Sequence, residues 1–334
     1  MGKPGLKILL YSPNFFPLTG GLEQVAMDLA TEFSALGHSV TLLTMTPATA
    51  VDTFPFRVLR GPGWWRQWWE MRNADVVLQL NVSLKGILPW LLSGRPLVIS
   101  HQTAHWNDWR GRLKTWVARH WASLNIGCSR YMAEPYPRSV AIPNPYRDEL
   151  FYVKTPWVAR EQELIFAGRL VSDKGVDLLL QALANVRREG LQPRLTIVGE
   201  GSERPSLEAL VQALDLSAQV EFAGLRHGEQ LAALLNAHRI MVVPSRWAEP
   251  FGIVALEGLA SGCLLLGSSG GGLGEAIGPF GLLFPNGDLA ALTAGLKTAL
   301  AATAPAHSPA LQAHLQRHRK KVVAQAYLTA LNSL

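Results

Sequence analysis

The sequence predicts an α/β protein of two doubly wound, parallel-sheet domains facing a cleft. Three observations carry that expectation. The chain has 334 residues and 36.5 kDa, more than one ordinary core organises and enough for two domains of about 150 residues each. Apolar strand-like runs alternate with helical patterns from end to end, the mark of a parallel sheet with helices on both faces. That alternation also stops at a connector, 141–153, which holds Pro143, Asn144 and Pro145, and then restarts. The expected division is 1–150, 151–310, and a C-terminal helical segment 311–334 that crosses back to the first domain.

The elements follow in order. Lys7 to Tyr11 is a short apolar strand, and Met1 to Leu10 lacks the long apolar stretch and cleavage pattern of a signal peptide. A helix runs from about Leu22 to Leu36, with Val25, Leu29, Ala30 and Phe33 on one face, and Gly37 ends it. Ser39 to Thr44, Val76 to Leu80 and Pro96 to Ser100 read as further strands, with Leu84 to Leu92 helical between the last two. After the connector come strands at Leu164 to Ala167, Arg194 to Val198, Val220 to Ala223, Ile240 to Val243 and Cys263 to Gly267. Val176 to Arg188 is a helix, and one last helix is expected from about Ala310 to Leu331.

Composition narrows the class. With 48% hydrophobic and 17% charged residues the chain is globular rather than disordered. Its apolar runs are too short to span a bilayer. Cys128 and Cys263 are too few for a disulfide scaffold or a zinc site, which points to a reducing, cytoplasmic setting. The net charge of +6 is uneven. Residues 1–150 hold 15 Lys and Arg against 10 Asp and Glu, and nine of the eleven tryptophans. That half suits an anionic partner: a membrane surface, a phosphorylated acceptor or nucleic acid.

Glycine-rich and charged loops then mark candidate chemistry. Gly20-Gly21 opens the first helix, where free amides and the positive helix end favour an anion, although a plain tight turn explains the pair equally well. Gly199-Glu200-Gly201 follows a strand, but Arg204 stands where a dinucleotide fingerprint needs its third glycine, which disfavours a nicotinamide enzyme. Gly168-Arg169 through Lys174-Gly175 sets a guanidinium and an ammonium beyond a strand end, a pairing suited to a diphosphate. Glu249-Pro250-Phe251-Gly252 opens a helix that carries Glu257. A carboxylate there can take a ribose diol, and the freed amides can take phosphate or sugar hydroxyls.

In this order, these elements resemble the retaining GT-B glycosyltransferases of family 4, and the resemblance spans nearly the whole chain. It rests on 17–23, Gly37-His38-Ser39-Val40, Ile142-Pro143-Asn144, Gly168-Arg169-Leu170 with Lys174-Gly175, Ile197 to Gly201, Phe222-Ala223-Gly224, Pro244-Ser245 and the pair Glu249 and Glu257. The resemblance implies two Rossmann-like domains and a donor nucleotide-sugar, of UDP or GDP type, as substrate. It places Arg169 and Lys174 on the diphosphate, with the amides of Gly20 and Gly21 assisting. Glu257 would hold the ribose, the backbone around Leu225 the base, and Glu249 with Phe251, Gly252, Ile253 and Val254 the donor sugar; Gly199 belongs to the same donor set. His101 matches a sugar-contacting histidine of the family, and His105 and Trp106 are candidates for the acceptor side.

The same resemblance implies transfer with retention, without a resident cofactor or metal; the chain has no Asp-x-Asp. The acceptor would be a saccharide, a lipid-linked sugar or a small molecule. Rival readings are a sugar-nucleotide epimerase, a phosphorylase and a basic nucleic-acid-binding module, and the signatures of all three are missing. The sequence departs from the family at Asn144-Pro145-Tyr146-Arg147, where glycine and a later aspartate are commoner. Trp64-Trp65-Arg66-Gln67-Trp68-Trp69 remains open between a membrane-interface anchor, an aromatic platform for the acceptor and a buried helix.

Overall fold

The structure, a computed structural model, describes residues 5–18, 20–48, 53–103, 108–305 and 308–334. The chain divides into two compact units, Met1–Pro145 with Arg319–Leu334, and Tyr146–His318.

The first unit carries β1 (Lys7–Tyr11), α1 (Gly21–Ala35), β2 (Ser39–Thr44), β3 (Arg57–Arg60), α2 (Trp64–Asn73), β4 (Val76–Leu80), α3 (Leu84–Leu91), β5 (Leu97–His101), α4 (Trp109–His120), β6 (Leu124–Gly127), α5 (Arg130–Ala133) and β7 (Ser139–Ala141). Its seven strands are ordered β3-β2-β1-β4-β5-β6-β7, every neighbouring pair parallel. All five residues of β4 and of β5 are buried, as expected for a sheet covered on both faces. On one face Leu9, Val77, Leu97 and Ile99 pack with Met71 of α2, Ile87 of α3 and Val117 of α4. Strands β3, β6 and β7 were not marked by the sequence pattern; they are three or four residues long, too short to show a period.

Gly37, at φ 87°, closes α1, and the His38 imidazole then accepts the Leu6 amide at 3.0 Å. The Gly-His pair therefore fixes a turn and ties the starts of two strands together. In α2 the structure removes the buried-helix reading. Gln67, Glu70 and Met71 face inward, whereas Trp64, Trp65 and Trp69 are exposed.

The second unit carries β8 (Gln162–Ala167), α6 (Val176–Arg188), β9 (Leu195–Val198), α7 (Arg204–Ala213), β10 (Val220–Gly224), α8 (Gly228–Ala237), β11 (His238–Val243), α9 (Ile253–Ala260), β12 (Leu264–Ser268), α10 (Leu273–Ile277), β13 (Gly281–Phe284), α11 (Leu289–Leu300) and α12 (Pro309–Arg317). Its six parallel strands run β10-β9-β8-β11-β12-β13. Renumbered within the unit, that is the same winding as the first sheet. Strand order reverses between β8 and β11, so the loops after them diverge and leave room for a ligand at the carboxyl ends. At the other end of this sheet Arg160, 2% exposed, is held by the carbonyls of Thr155, His238 and Ser261.

The single closing helix expected over 310–331 is two helices. α12 ends at Arg317, and α13 (Lys320–Leu331) belongs to the first unit. Arg319 is extended (φ −68°, ψ 144°), and the His318 carbonyl accepts the Tyr146 amide at 3.0 Å. That carbonyl is taken by a distant strand of chain, and the helix breaks there. In the first unit α13 lies on α1, and the Tyr327 hydroxyl shares a 2.8 Å hydrogen bond with Ser100.

Candidate active site

The loops at the carboxyl end of the second sheet carry most of the residues expected to meet the donor. After β8, Gly168 donates its amide to Val198 and Leu170 its amide to Glu200, stitching 168–170 to 198–200. The approach is so close that a Cβ on Gly199 would overlap the Gly168 carbonyl oxygen, and Gly199 also sits at φ 137°. The Gly-x-Gly pair is thus explained by backbone packing. It leaves Arg169 exposed at the tip of the loop.

A short 3-10 turn, Ser172–Lys174, then leads through Gly175 into α6. It turns Lys174 toward the loop after β11, where Nζ meets Glu249 Oε1 at 2.5 Å and lies 5.9 Å from the centre of the Trp247 ring. Glu249 is buried, and the Ser245 hydroxyl donates to the same oxygen at 2.5 Å. The predicted diphosphate ligand and the predicted sugar ligand are therefore partners of each other.

Phe251 is buried under the loop, and Gly252, at φ 109°, turns the chain into α9. Ile253 and Val254 occupy the first turn of α9, whose leading amides lie outside the helical ladder. Glu257 follows one turn later, 9% exposed. Leu225 lies just beyond β10, half exposed, beside the Gly199 amide's acceptor, the Gly224 carbonyl.

Asn286 was invisible to sequence reasoning. Its side-chain amide donates to the carbonyls of Ser245 (3.0 Å) and Trp247 (2.7 Å), and its oxygen accepts the Gly270 amide at 2.6 Å. The Glu249 carbonyl accepts the Gly272 amide at 2.6 Å as well. One side chain after β13 thus fastens the loops after β11 and β12. Pro285-Asn286-Gly287 reads only as a turn, so no local signal marks it.

The remaining candidates lie in the first unit. Gly20 precedes α1 and Gly21 begins it, but a Cβ on Gly20 would lie 2.6 Å from Glu23 Oε2. A carboxylate thus sits over the turn that an anion would use. His101, for which the resemblance implies a sugar contact, is buried in the structure. It is 0% exposed, stacks on Tyr136 with ring centres 3.8 Å apart, and pairs through Nε2 with Asn125 Oδ1 at 2.9 Å. The Asn125 amide nitrogen donates to the carbonyls of Ala118 and Pro137, so its oxygen is the acceptor and His101 Nε2 carries the proton. His105 and Trp106 lie outside the described residues, as does Thr19 of the glycine turn.

Two parallel doubly wound units, with cations, carboxylates and a helix start at the carboxyl ends of one sheet, define a GT-B glycosyltransferase architecture. Residues 149–315 match the family model for glycosyl transferases group 1, and the chain belongs to that family. It is 34% identical over 359 residues to the glycogen synthase of Mycobacterium tuberculosis, covering 88% of this chain and 86% of that one. Over 162 residues, 46% of this chain and 36% of the relative, it is 38% identical to a D-inositol 3-phosphate glycosyltransferase of Rhodococcus erythropolis. Among solved structures, Anabaena Alr3699/HepE in complex with UDP-glucose superposes with a TM-score of 0.84 at 20% identity, covering 98% of this chain and 100% of that one. The chain is a glycosyltransferase.

Proposed function

We propose that this glycosyltransferase is a retaining, metal-independent hexosyltransferase of family 4, moving a sugar from a nucleoside-diphosphate donor, of UDP or GDP type, to a saccharide or lipid-linked acceptor. One observation carries the reading: Lys174 Nζ and Glu249 Oε1 meet at 2.5 Å beside the start of α9, on the same wall as exposed Arg169 and buried Glu257. A donor diphosphate entering there takes Lys174 from Glu249 and frees the carboxylate to accept sugar hydroxyls. Arg169, Lys174 and the amides of α9 meet the negative charge that grows on the leaving diphosphate, which is where electrostatic catalysis acts most strongly. Glu257 takes the ribose diol, and the backbone at Leu225 takes the base. No carboxylate is assigned as nucleophile; the donor phosphate receives the acceptor's proton in a front-face displacement. Support comes from the family match and from the UDP-glucose complex of the Anabaena neighbour. We place the reaction at the cytoplasmic face of a membrane, with the protein held there peripherally.

The test is a thermal-shift panel of UDP-, GDP-, ADP- and dTDP-sugars, run with and without EDTA. A ligand at a hundred times its Kd stabilises the native state by about 2.7 kcal/mol. One nucleotide series should raise Tm, unchanged by EDTA, and the product formed from that donor should keep the donor's anomeric configuration by NMR. A panel with no shift removes the donor site, and an inverted product removes retention.

A further inference from the structure

Helices α2, α3 and α4 form one layer over a single face of the first sheet, and their outer sides are unusually apolar. Trp65 is 72% exposed, Trp109 67% and Leu88 64%, with Leu92, Trp69 and Trp116 also exposed. The layer is continuous. The Trp68 indole donates to the Leu92 carbonyl at 3.0 Å, joining α2 to the end of α3, and Trp90 of α3 lies 6.3 Å from Trp121 at the end of α4. The inner sides pack on the sheet, and among the described residues the outer rings stay exposed.

The charge on this layer is predominantly positive. Across 64–120 the acids are Glu70, Asp75 and Asp108, and each is committed: Glu70 to Arg57 and Arg66, Asp75 to the Lys7 amide, Asp108 to the first turn of α4. The exposed cations include Arg72, Lys85, Arg95, Arg110 and Arg112. Guanidinium groups also sit against the exposed rings, Arg66 over Trp69 and Arg110 over Trp109, each 5.3 Å from a ring centre. Indole and leucine side chains beside arginine suit the boundary between acyl chains and anionic headgroups.

We infer that the outer face of α2, α3 and α4 is the surface by which the protein docks on an anionic lipid bilayer, Trp65, Leu88 and Trp109 entering the acyl boundary and the arginines meeting lipid phosphates. The inference rests on the membrane location in the proposed function and supplies the surface that produces it. A second copy of the chain would set these cations against one another across a twofold contact. An acceptor sugar would need polar groups converging on one ring, and here the rings are spread over three helices. No helix among the described residues is long and apolar enough to cross a membrane, so the contact is peripheral.

Co-sedimentation of the full chain with vesicles of phosphatidylglycerol and phosphatidylcholine, against phosphatidylcholine alone, tests this. The wild type should pellet with the anionic vesicles only. The triple variant Trp65→Ser, Leu88→Ser, Trp109→Ser should bind at least about tenfold more weakly, and Arg110→Glu with Arg112→Glu should lose about as much. Both variants should keep the wild-type Tm and the donor-induced thermal shift. Equal binding to neutral vesicles, no binding at all, or undiminished binding by the triple variant each overturns the assignment. So does a wild-type dimer in sedimentation velocity that the triple variant dissolves. Vesicle binding without any donor-induced shift would instead sink the donor reading and leave the docking face standing.

Discussion

Lys174 and Glu249 pair in the structure, and in the proposed reading a donor parts them. Because Glu249 is buried and already accepts from Ser245, it keeps one partner if Lys174 is withdrawn. Transfer by Lys174→Ala should fall at least about a hundredfold, the scale of losing one group that meets transition-state charge. Glu257→Ala should act differently, raising donor KM more than it lowers kcat, since a ribose contact is equal in ground and transition states. Steady-state kinetics with the preferred donor checks both, and near-normal kcat/KM in either variant removes that residue from the site. The placement of Lys174 and Glu257 was legible from sequence because it is local: a cation just past a strand, a carboxylate one turn into a helix. The burial of His101 was not, since its environment is made by Asn125 on the neighbouring strand and by Tyr136 in the connection before β7, both distant in sequence.

Among the elements, the loops after β11, β12 and β13 act as one piece because Asn286 holds them. Asn286→Ala leaves two carbonyls and one amide unmet and should cost about 2 kcal/mol of stability, with weaker donor binding and little change in kcat once donor saturates. Urea unfolding with donor titration reads both; an unaltered donor Kd would confine Asn286 to stability. At the opposite end of the sheet Arg160 has a comparable duty. Burial holds its guanidinium below the usual range, the neighbouring Cys263 opposing, and the Cys263 thiol is pushed up to about 12 by the same burial. Arg160→Met orphans the carbonyls of Thr155, His238 and Ser261 and should lower stability by about 3 kcal/mol in urea unfolding. A loss below 1 kcal/mol would mean those carbonyls find water instead. Neither residue announces itself in sequence, because each bonds backbone carbonyls whose positions only the folded sheet sets. Most apolar strands and the glycine-flanked helices were readable; β3, β6, β7 and β13, of three or four residues, were not, and the break between α12 and α13 depends on Tyr146.

At the scale of the molecule, acid should weaken the second unit through His314 and His318. Burial lowers both, His318 to about 4, and the backbone carbonyls they meet offset this only in part. A histidine lowered in the folded state contributes stability that is present above its unfolded pKa near 6.5 and is lost as pH falls toward 4. For His318 that loss is on the order of 3 kcal/mol, and it should appear as a falling Tm between pH 6.5 and 4.5 that His318→Leu flattens. A wild-type Tm constant over that range would show the ring is hydrated. The chain leaves the first unit after Pro145 and returns to it at Arg319. Neither a cut at 145 nor one at 318 therefore yields the first unit entire: a fragment 1–145 lacks the helix that covers α1 and leaves Ser100 facing solvent where Tyr327 had been. Anyone dissecting this enzyme needs a splice that carries 319–334 back onto 1–145, whereas 146–318 can be excised as one uninterrupted length.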